Sequence, residues 1–537
     1  MNEKCFCHIG MAVGTRYKVK DADAREQIET LNDSLDALNG SLDNLYVNSI
    51  NDLKTMTSLS NGNVVKTLGY YSANDGGSAL YKIRAKSSSD VEGDGTIHFL
   101  QNNLVAELIL EDRISIKQLG AKANDESFDN SPIVRNAIVL SSTKGIEAYI
   151  PKGTFICLTP ISFTSELKNV NLVGYSEGMA TNENYSQLEY KGSGDFITFN
   201  GLMLSKIEKI NFKGNQTNIL IYSKGSATNK CYKNIFRNLT LEGCIYGIKV
   251  ENSIYTHYSH IIGYASDYTK ALIYILANNN LNEYNYIVDS SFEGASTLAE
   301  NGIIIENANF TWFNNLDICN FHSGSGIKVF KQCNNVFINN VSTMRCLRHY
   351  NIDDDLTTSI QNVNFNDIIA SVAGTSGFEN EVVFYFRGDS YHQVTKVSGR
   401  GLVIKSIGWQ IQPNYLIDLS ADSDYMALTY SGFEFVGYNS WGETKIKAGN
   451  DSNRIRFVDT KNCMRNQNYS GQTNVIEFVI PQIVNIDGNL LYPYPFINAI
   501  GYGGKITNVE YSNNRYKYTY KLDEAPSGSY KINAMLL

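Results

Sequence analysis

The stretch from about Asn169 to Asp459 repeats one short pattern, in which asparagine precedes an apolar, a polar and a second apolar residue. The copies include NVNLVG, KINFKGN, FRNLTLEGC, FNNLDICNF and NNVFINNVS. Short strands that recur about every 22 to 31 residues, with insertions between them, are typical of a solenoid. We therefore predict a parallel β-helix, whose coils stack about 4.8 Å apart. The residues that we expect to form one inward column are Leu239, Ile261, Phe292, Leu316, Val341 and Val363.

An antiparallel sandwich is the alternative to this solenoid. Its turns would recur about every 8–12 residues and would need more glycine and proline. The chain has only 8 Pro among 537 residues, against 35 Tyr and 24 Phe. This composition favours many short strands, so an all-β solenoid is the preferred fold class.

The charge and apolar pattern exclude several function classes. A net charge of −8 gives no electrostatic attraction to nucleic acid or to anionic membranes. We find no apolar run long enough for membrane insertion and no secretory signal, so we expect synthesis and folding in a cytoplasm. Cys5, Cys7 and His8 lack a fourth ligand, and we predict neither a metal site nor any other cofactor.

Residues 1–60 differ from the rest of the chain. Apolar residues recur there at alternating steps of three and four, which is the spacing of a coiled-coil seam. The stripe is too narrow to pack well on a globular core, so self-association is favoured. The seam consists of Ile28, Leu31, Leu35, Leu38, Leu42 and Leu45.

Two further β regions flank the solenoid. Strand-like runs on either side of the turn Asn74–Gly77 predict a hairpin, within a small β domain over residues 61–112. Alternating strands over residues 466–537 predict a C-terminal β domain.

The β-helix domain, residues 113–465, is expected to begin with a helix. Ser131 and Pro132 suit a helix start, Ile133, Ala137 and Ile138 lie on one face, and the helix should end near Ser141. The first coil of a β-helix exposes unpaired edges and core residues. We therefore expect this helix to cover that end.

With these motifs in view, the chain resembles the pectate-lyase-like β-helix proteins, and among them bacteriophage tailspikes and tail appendages. The resemblance rests on LGAKANDESFDNSPIVRNAI and YIPKGTFIC around the helix, and on GYYSANDGGSALYKI in the small domain. Asn124 and the run Asp129–Ser131 depart mildly from the family pattern. The resemblance covers residues 17–460 and implies a right-handed parallel β-helix.

The resemblance also implies a role in the virion. It predicts a homotrimer that binds phage tail or neck proteins through its N-terminus and contacts a bacterial cell-surface polysaccharide or teichoic acid. The catalytic residues of polygalacturonases and pectate lyases are not evident, which disfavours pectin as substrate. We expect a receptor-binding tailspike, with depolymerisation left open. A purely adhesive appendage is the alternative.

Glu293 and Asp317 are the candidate catalytic pair. Each follows a residue of the expected inward column, so both should point outward on neighbouring coils. Hydrolysis of a glycosidic bond needs two carboxyl groups about 5 to 9.5 Å apart. Solvated surface acids are the structural alternative for both residues.

Other residues could complete such a site. We assign Trp312, Phe313 and His322, which are near in sequence, to substrate binding as sugar-stacking faces or a proton carrier. Asp353 and Asp355 are alternate catalytic acids in a loop, where clustered carboxylates can also bind Ca²⁺.

Overall fold

The computed structural model describes residues 26–34, 46–175 and most of 185–406, and beyond residue 406 it describes strands alone. The chain divides into two compact units, Met1–Ile109 with Lys117–Gly120, and Leu110–Ile116 with Ala121–Leu537. The gaps between 185 and 406 are residues 227, 279–281, 295–297, 354–359, 373–380, 388–393 and 396.

The predicted coiled-coil segment is described only over residues 26–34, which are helical. Two seam residues, Ile28 and Leu31, are exposed there. The coiled coil itself stays a prediction, because the remaining seam positions lie outside the described residues. These positions are Leu35, Leu38, Leu42 and Leu45.

The small unit is a five-stranded sheet with a short helix, Ile50–Thr55. The predicted hairpin is confirmed, because Val64–Thr67 pairs antiparallel with Ala79–Ala85. Alternate residues of these strands, among them Val65 and Tyr81, are fully buried. The strands are Tyr46–Val47, Val64–Thr67, Ala79–Ala85, Ile97–Phe99 and Leu104–Leu108.

Asp75 organises the turn of this hairpin. Its carboxylate accepts hydrogen bonds from the backbone N–H groups of Tyr70, Tyr71, Ser72 and Gly77, at 2.7–3.1 Å. Partial burial raises the pKa of Asp75, but these four donors together hold that pKa below its ordinary value. The conformation of the GYYSANDGG motif therefore depends on one ionised side chain.

The second unit is the predicted parallel β-helix. It contains a 21-stranded and an 11-stranded sheet, in which strands pair in parallel with their equivalents one coil later. The larger sheet consists of Arg113–Ser115, Glu147–Ile150, Gly153–Cys157, Leu167–Lys168, Asn171–Gly174, Ser186–Tyr190, Leu202–Met203, Lys206–Glu208, Asn211–Lys213, Cys231–Tyr232, Ile235–Glu242, Ser253–Ile254, His257–Ala265, Asn282–Gly294, Ala308–Cys319, Asn334–Met344, Ile360–Val372, Val394–Thr395, Val397–Ser406, Ala427–Val436 and Arg454–Phe457.

The smaller sheet completes each coil on the other side of an apolar core. Isoleucines occupy one inward column over four successive coils, and all are fully buried; they are Ile221, Ile248, Ile273 and Ile303. The strands of this sheet are Ile161–Ser162, Ile197–Phe199, Ile219–Ser223, Tyr246–Glu251, Ala271–Leu276, Asn301–Glu306, Ser325–Phe330, Arg348–Asp353, Val382–Arg387, Ile417–Leu419 and Ile446–Ala448.

The expected capping helix is Ser131–Lys144, three residues longer than predicted, and it packs against strands of the first coils. Its N-cap is Asn130, whose side chain bonds to the backbone of Lys122 and Ile156. The helix ends where Gly145 adopts a left-handed conformation (φ 70°), which glycine allows without strain. A 3₁₀ helix, Ile116–Leu119, precedes it in the chain.

Four of the six residues expected in the inward column are observed in one column, and two positions are wrong. Leu239 pairs with Ile261, and Leu316 pairs with Val341. Phe292 is buried but belongs to a second column two residues further on, where it pairs with Ile318.

Ser290 takes the place that we predicted for Phe292. It pairs with Leu316, is 6% exposed, and donates a hydrogen bond to the backbone carbonyl of Val288. The alignment also failed at Val363, which pairs with Val336 rather than Val341. An alignment on apolar residues missed Ser290 because a buried serine carries no apolar signal.

The strands predicted beyond residue 466 are present and pair antiparallel, within the same compact unit as the β-helix. They form two three-stranded sheets and one two-stranded sheet. No helix among the described residues is long and apolar enough to span a membrane. The strands are Gln467–Tyr469, Val475–Pro481, Ile483–Val484, Leu490–Leu491, Pro495–Ala499, Gly504–Ser512, Arg515–Leu522 and Tyr530–Leu536.

Candidate functional site

The long strands of the larger sheet bend at the same position in successive coils. The residue at each bend is left-handed, with φ between 49° and 56°. Aspartate, asparagine and histidine tolerate this conformation better than most other side chains. The repeated asparagine of the sequence pattern is therefore explained by backbone geometry. The bend residues are Asn238, His260, Asp289, Asn315, Asn340 and Asp367.

Side chains at the bends bond to one another along the molecule. The Asn340 amide donates to Asn315 at 3.1 Å, and the Asn315 amide donates to Oδ1 of Asp289 at 2.7 Å. His260 occupies the equivalent position one coil before Asp289. These hydrogen bonds fix the side chain of Asp289 through Oδ1, one of its two carboxylate oxygens.

A groove of about 850 Å³ follows these bends along five to six coils. Its walls are amides, hydroxyls and carboxylates, and its floor is the buried column described above. The lining residues are Asn238, Leu239, His260, Ile261, Ile262, Asp289, Ser290, Ser291, Asn315, Leu316, Asp317, Asn340, Val341, Ser342 and Ile369.

Asp317 is the predicted site residue that lies in this groove. It is exposed, and its register partners on the adjacent coils are Ser291 and Ser342. Within the described part of the chain, no residue forms a hydrogen bond or ion pair with the Asp317 carboxylate. A bound molecule in the groove can therefore reach this carboxylate.

Asp289 is the second carboxylate in the groove. It aligns with Asn315, two residues before Asp317 on the next coil. One strand spacing and two residues along a strand place the two backbone positions about 8 Å apart. Side chains on backbone positions at this separation can bring their carboxyl groups within the range of about 5 to 9.5 Å that hydrolysis of a glycosidic bond needs. Asp289 and Asp317 are thus the acids that the groove brings together.

The predicted pair Glu293 and Asp317 is not in register. Glu293 pairs with Cys319, whereas Asp317 pairs with Ser291. The error has the same cause as the misplacement of Phe292, because Glu293 was placed from the position predicted for Phe292. Glu293 is exposed outside the groove lining, and its Oε1 lies 3.3 Å from the amide nitrogen of Asn320.

The indole of Trp312 lies in a stack of aromatic rings outside the groove. It stacks on Tyr286 at 4.7 Å and on Phe337 at 5.4 Å, with interplanar angles of 8° and 14°. Neighbouring coils therefore cover both faces of Trp312, and its faces are not available for sugar stacking. Phe313 is fully buried in the core, so its predicted substrate contact is wrong.

His322 follows the strand Ala308–Cys319 and does not line the groove. It is half-buried, and burial together with the positive charge of Arg345 lowers the pKa of His322. The structure does not place it beside Asp289 or Asp317 in the groove lining.

Asp353 lies on the smaller sheet, away from the groove lining. It is 5% exposed and forms ion pairs with Lys328 at 3.9 Å and Arg387 at 3.6 Å. Asp355 lies outside the described residues. The described residues contain no cluster of three or more histidine, cysteine or acidic side chains suited to a metal ion, and Cys5, Cys7 and His8 are not among them.

Sequence reasoning missed the bend residues as a binding surface. The signal was present, because each polar bend residue precedes an inward position of the repeat. The pattern was interpreted only as turn chemistry. The sequence does not show that the bends face a common groove, because that arrangement depends on the register between coils.

No family model matches this sequence, and no curated protein is similar to it in sequence. Solved structures are similar in fold. Tailspike protein 2 from Escherichia coli O157:H7 bacteriophage CAB120 superposes with a TM-score of 0.54 at 12% identity, covering 92% of this chain and 71% of that one. A tailspike protein from Acinetobacter baumannii bacteriophage Fri1, described as a capsular polysaccharide depolymerase, gives 0.44 at 11% identity, over 92% and 98%. The chain therefore has a tailspike-like parallel β-helix fold.

Proposed function

We propose that this chain is a virion appendage of the tailspike type that recognises a bacterial surface glycan in the groove from Asn238 to Ile369. The observation that carries the proposal is the groove itself. Similar polar groups recur there on successive coils, so a polymer lying along the groove meets them repeatedly. This arrangement suits a chain of repeating units better than a compact small molecule.

The chemistry of the lining supports a carbohydrate. Asparagine amides and serine hydroxyls both donate and accept hydrogen bonds, and carboxylates accept them. Sugar hydroxyls also do both, so they can satisfy all three kinds of group. Ile262 and Ile369, which are half-buried in the lining, offer an apolar surface to the C–H groups of a sugar ring.

The tailspike identity of the structure from phage CAB120 supports the virion part of the proposal. We infer a homotrimer whose N-terminal residues bind phage tail or neck proteins. In this assembly the β-helix contacts the host surface. A purely adhesive role and a degrading role are both compatible with such an appendage.

Ser342→Tyr tests the groove as the binding site. Ser342 lines the groove and is half-buried, so a phenol there fills the space beside Asp317 without entering the core. We expect binding of the full chain to its surface polysaccharide to fall at least about tenfold. Immobilised polysaccharides from a panel of bacterial surfaces provide the measurement.

Gln361→Tyr is the matched control. Gln361 is exposed on the same sheet but outside the groove lining, so the same phenol should leave affinity unchanged within about twofold. Equal losses in both variants, or no loss in Ser342→Tyr, would refute the groove as the site.

Hydrolysis of the bound glycan is a second candidate function, favoured by Asp289 and Asp317 in one groove. One carboxyl group would protonate the leaving oxygen while the other activates water. We expect Asp289→Asn and Asp317→Asn each to reduce release of reducing ends at least about a hundredfold. Glu293→Gln, an exposed acid outside the groove, should retain full activity.

A purely adhesive appendage predicts a different result. The native chain would then bind the polysaccharide and release no shortened products. In that case the Asp289 and Asp317 variants would affect affinity alone, and the proposal of hydrolysis would be withdrawn while that of recognition stands.

A further inference from the structure

The groove is acidic, which limits the charge of its ligand. Its lining contains the carboxylates of Asp289 and Asp317, and Asp367 occupies the bend one coil after Asn340. Among the described residues that line the groove, none is lysine or arginine. Histidine is represented there by His260 alone.

The cationic side chain that is adjacent in sequence to the first bend is already paired. Arg237 immediately precedes Asn238, and its guanidinium donates to Oε2 of Glu208 at 2.6 and 3.0 Å. Lys206 contacts Oε1 of the same carboxylate at 2.9 Å. Arg345 follows the strand Asn334–Met344 and is not part of the lining.

A polyanionic ligand fits these surroundings poorly. Phosphate and carboxylate groups accept hydrogen bonds but donate none when ionised, so they cannot satisfy Asp289 or Asp317. Like charges at close range also repel one another, and little in the groove compensates for that repulsion. Hydroxyl and acetamido groups can donate to both carboxylates.

We infer that the groove takes an electrically neutral glycan, built of sugars that bear hydroxyl and N-acetyl groups, and that it rejects the polyphosphate backbone of teichoic acids and the backbone of uronate-rich capsules. This inference rests on the proposed glycan recognition and narrows its substrate class. It would also exclude teichoic acid, one of the two ligand classes that the sequence left open.

Asp317→Asn distinguishes the two ligand classes by the direction of its effect. The substitution keeps the size of the side chain and removes its charge. A neutral glycan that donates to Asp317 should bind about fivefold more weakly, because a charged hydrogen bond becomes a neutral one. A polyanion should bind more strongly, because repulsion is relieved. Glu293→Gln is the control and should change neither affinity.

The native full-length chain and both variants would be titrated with three kinds of probe. These are neutral O-polysaccharides, poly(glycerol phosphate) with poly(ribitol phosphate), and polyuronates. We expect native binding to a neutral polymer only, with an affinity that changes less than about twofold between about 0.05 and 0.5 M NaCl.

Three results would overturn the inference. Native binding to a polyphosphate or polyuronate, strengthened by Asp317→Asn, would refute neutrality while leaving glycan recognition and the groove intact. Failure to bind any probe would refute the proposed function, and this inference with it. Binding to a neutral polymer that Asp317→Asn leaves unchanged would show that the groove acids do not select the ligand.

Discussion

The bend residues link backbone conformation to chemistry. Asn315 and Asp289 adopt a left-handed conformation that most residues avoid, and the same side chains hydrogen-bond between coils and line the groove. The sequence pattern predicted the coils because asparagine recurs in it. It could not identify Asp289 as a groove acid, since aspartate and asparagine are interchangeable as bend formers.

His98 in the small unit should make stability depend on pH. It is 3% exposed, with edge contacts to Tyr70 and Tyr81. Burial and the charge of Lys54 lower the pKa of His98 to about 4, although Glu92 opposes this shift. In the unfolded chain His98 binds a proton below about pH 6.5, whereas in the folded unit it stays neutral until about pH 4. Stability is therefore lost as the pH falls from about 6.5 toward 4.

We expect this loss to reach about 3 kcal/mol. Hydrogen exchange of the strand Ala79–Ala85, measured on the full chain at pH 7 and pH 4.5, reads the stability of the small unit. His98→Gln cannot titrate in this range and should flatten the dependence. If the stability of His98→Gln still depends on pH to the same extent, groups other than His98 cause the dependence.

At the scale of elements, the strands and the capping helix were predictable because each has a local signal. Pro132 marks the helix start, and the stretch from Asn169 alternates apolar and polar residues. Register between coils has no local signal. Ser290 in a core column broke the alignment, and both the Phe292 position and the Glu293–Asp317 pair failed for that reason.

The aromatic stack of His257, Tyr286, Trp312 and Phe337 should stabilise the β-helix rather than bind glycan. Trp312→Ala removes the ring contacts of Trp312, including the stacking on Tyr286 and Phe337, and leaves a gap between coils. We expect thermal unfolding of the full chain to show a loss of about 2 kcal/mol, with glycan affinity unchanged within about twofold.

Trp312→Phe keeps a ring in the stack and should recover most of the lost stability. If Trp312 instead contacted sugar through its face, Trp312→Ala would reduce affinity at least about tenfold with little effect on unfolding.

At the scale of the whole molecule, the fold class was predictable and the assembly remains to be measured. A homotrimer should have a mass three times that of the 60.0-kDa chain. Sedimentation equilibrium of the full-length protein measures this mass directly. Deleting residues 1–45 tests the coiled coil separately, since a trimer that survives the deletion must be held by the remaining residues. A native mass of one chain would contradict the prediction.

Because each coil turns the same corner with a residue of similar chemistry, a coil is an interchangeable genetic unit. Duplication or loss of one coil, about 25 residues, would change the length of the rod by about 4.8 Å and leave the other corners aligned. The groove would at the same time gain or lose the polar groups that one coil contributes to its lining. If the groove binds a glycan as proposed, a change in the number of coils changes how many repeating units it can contact, without any change to the interior.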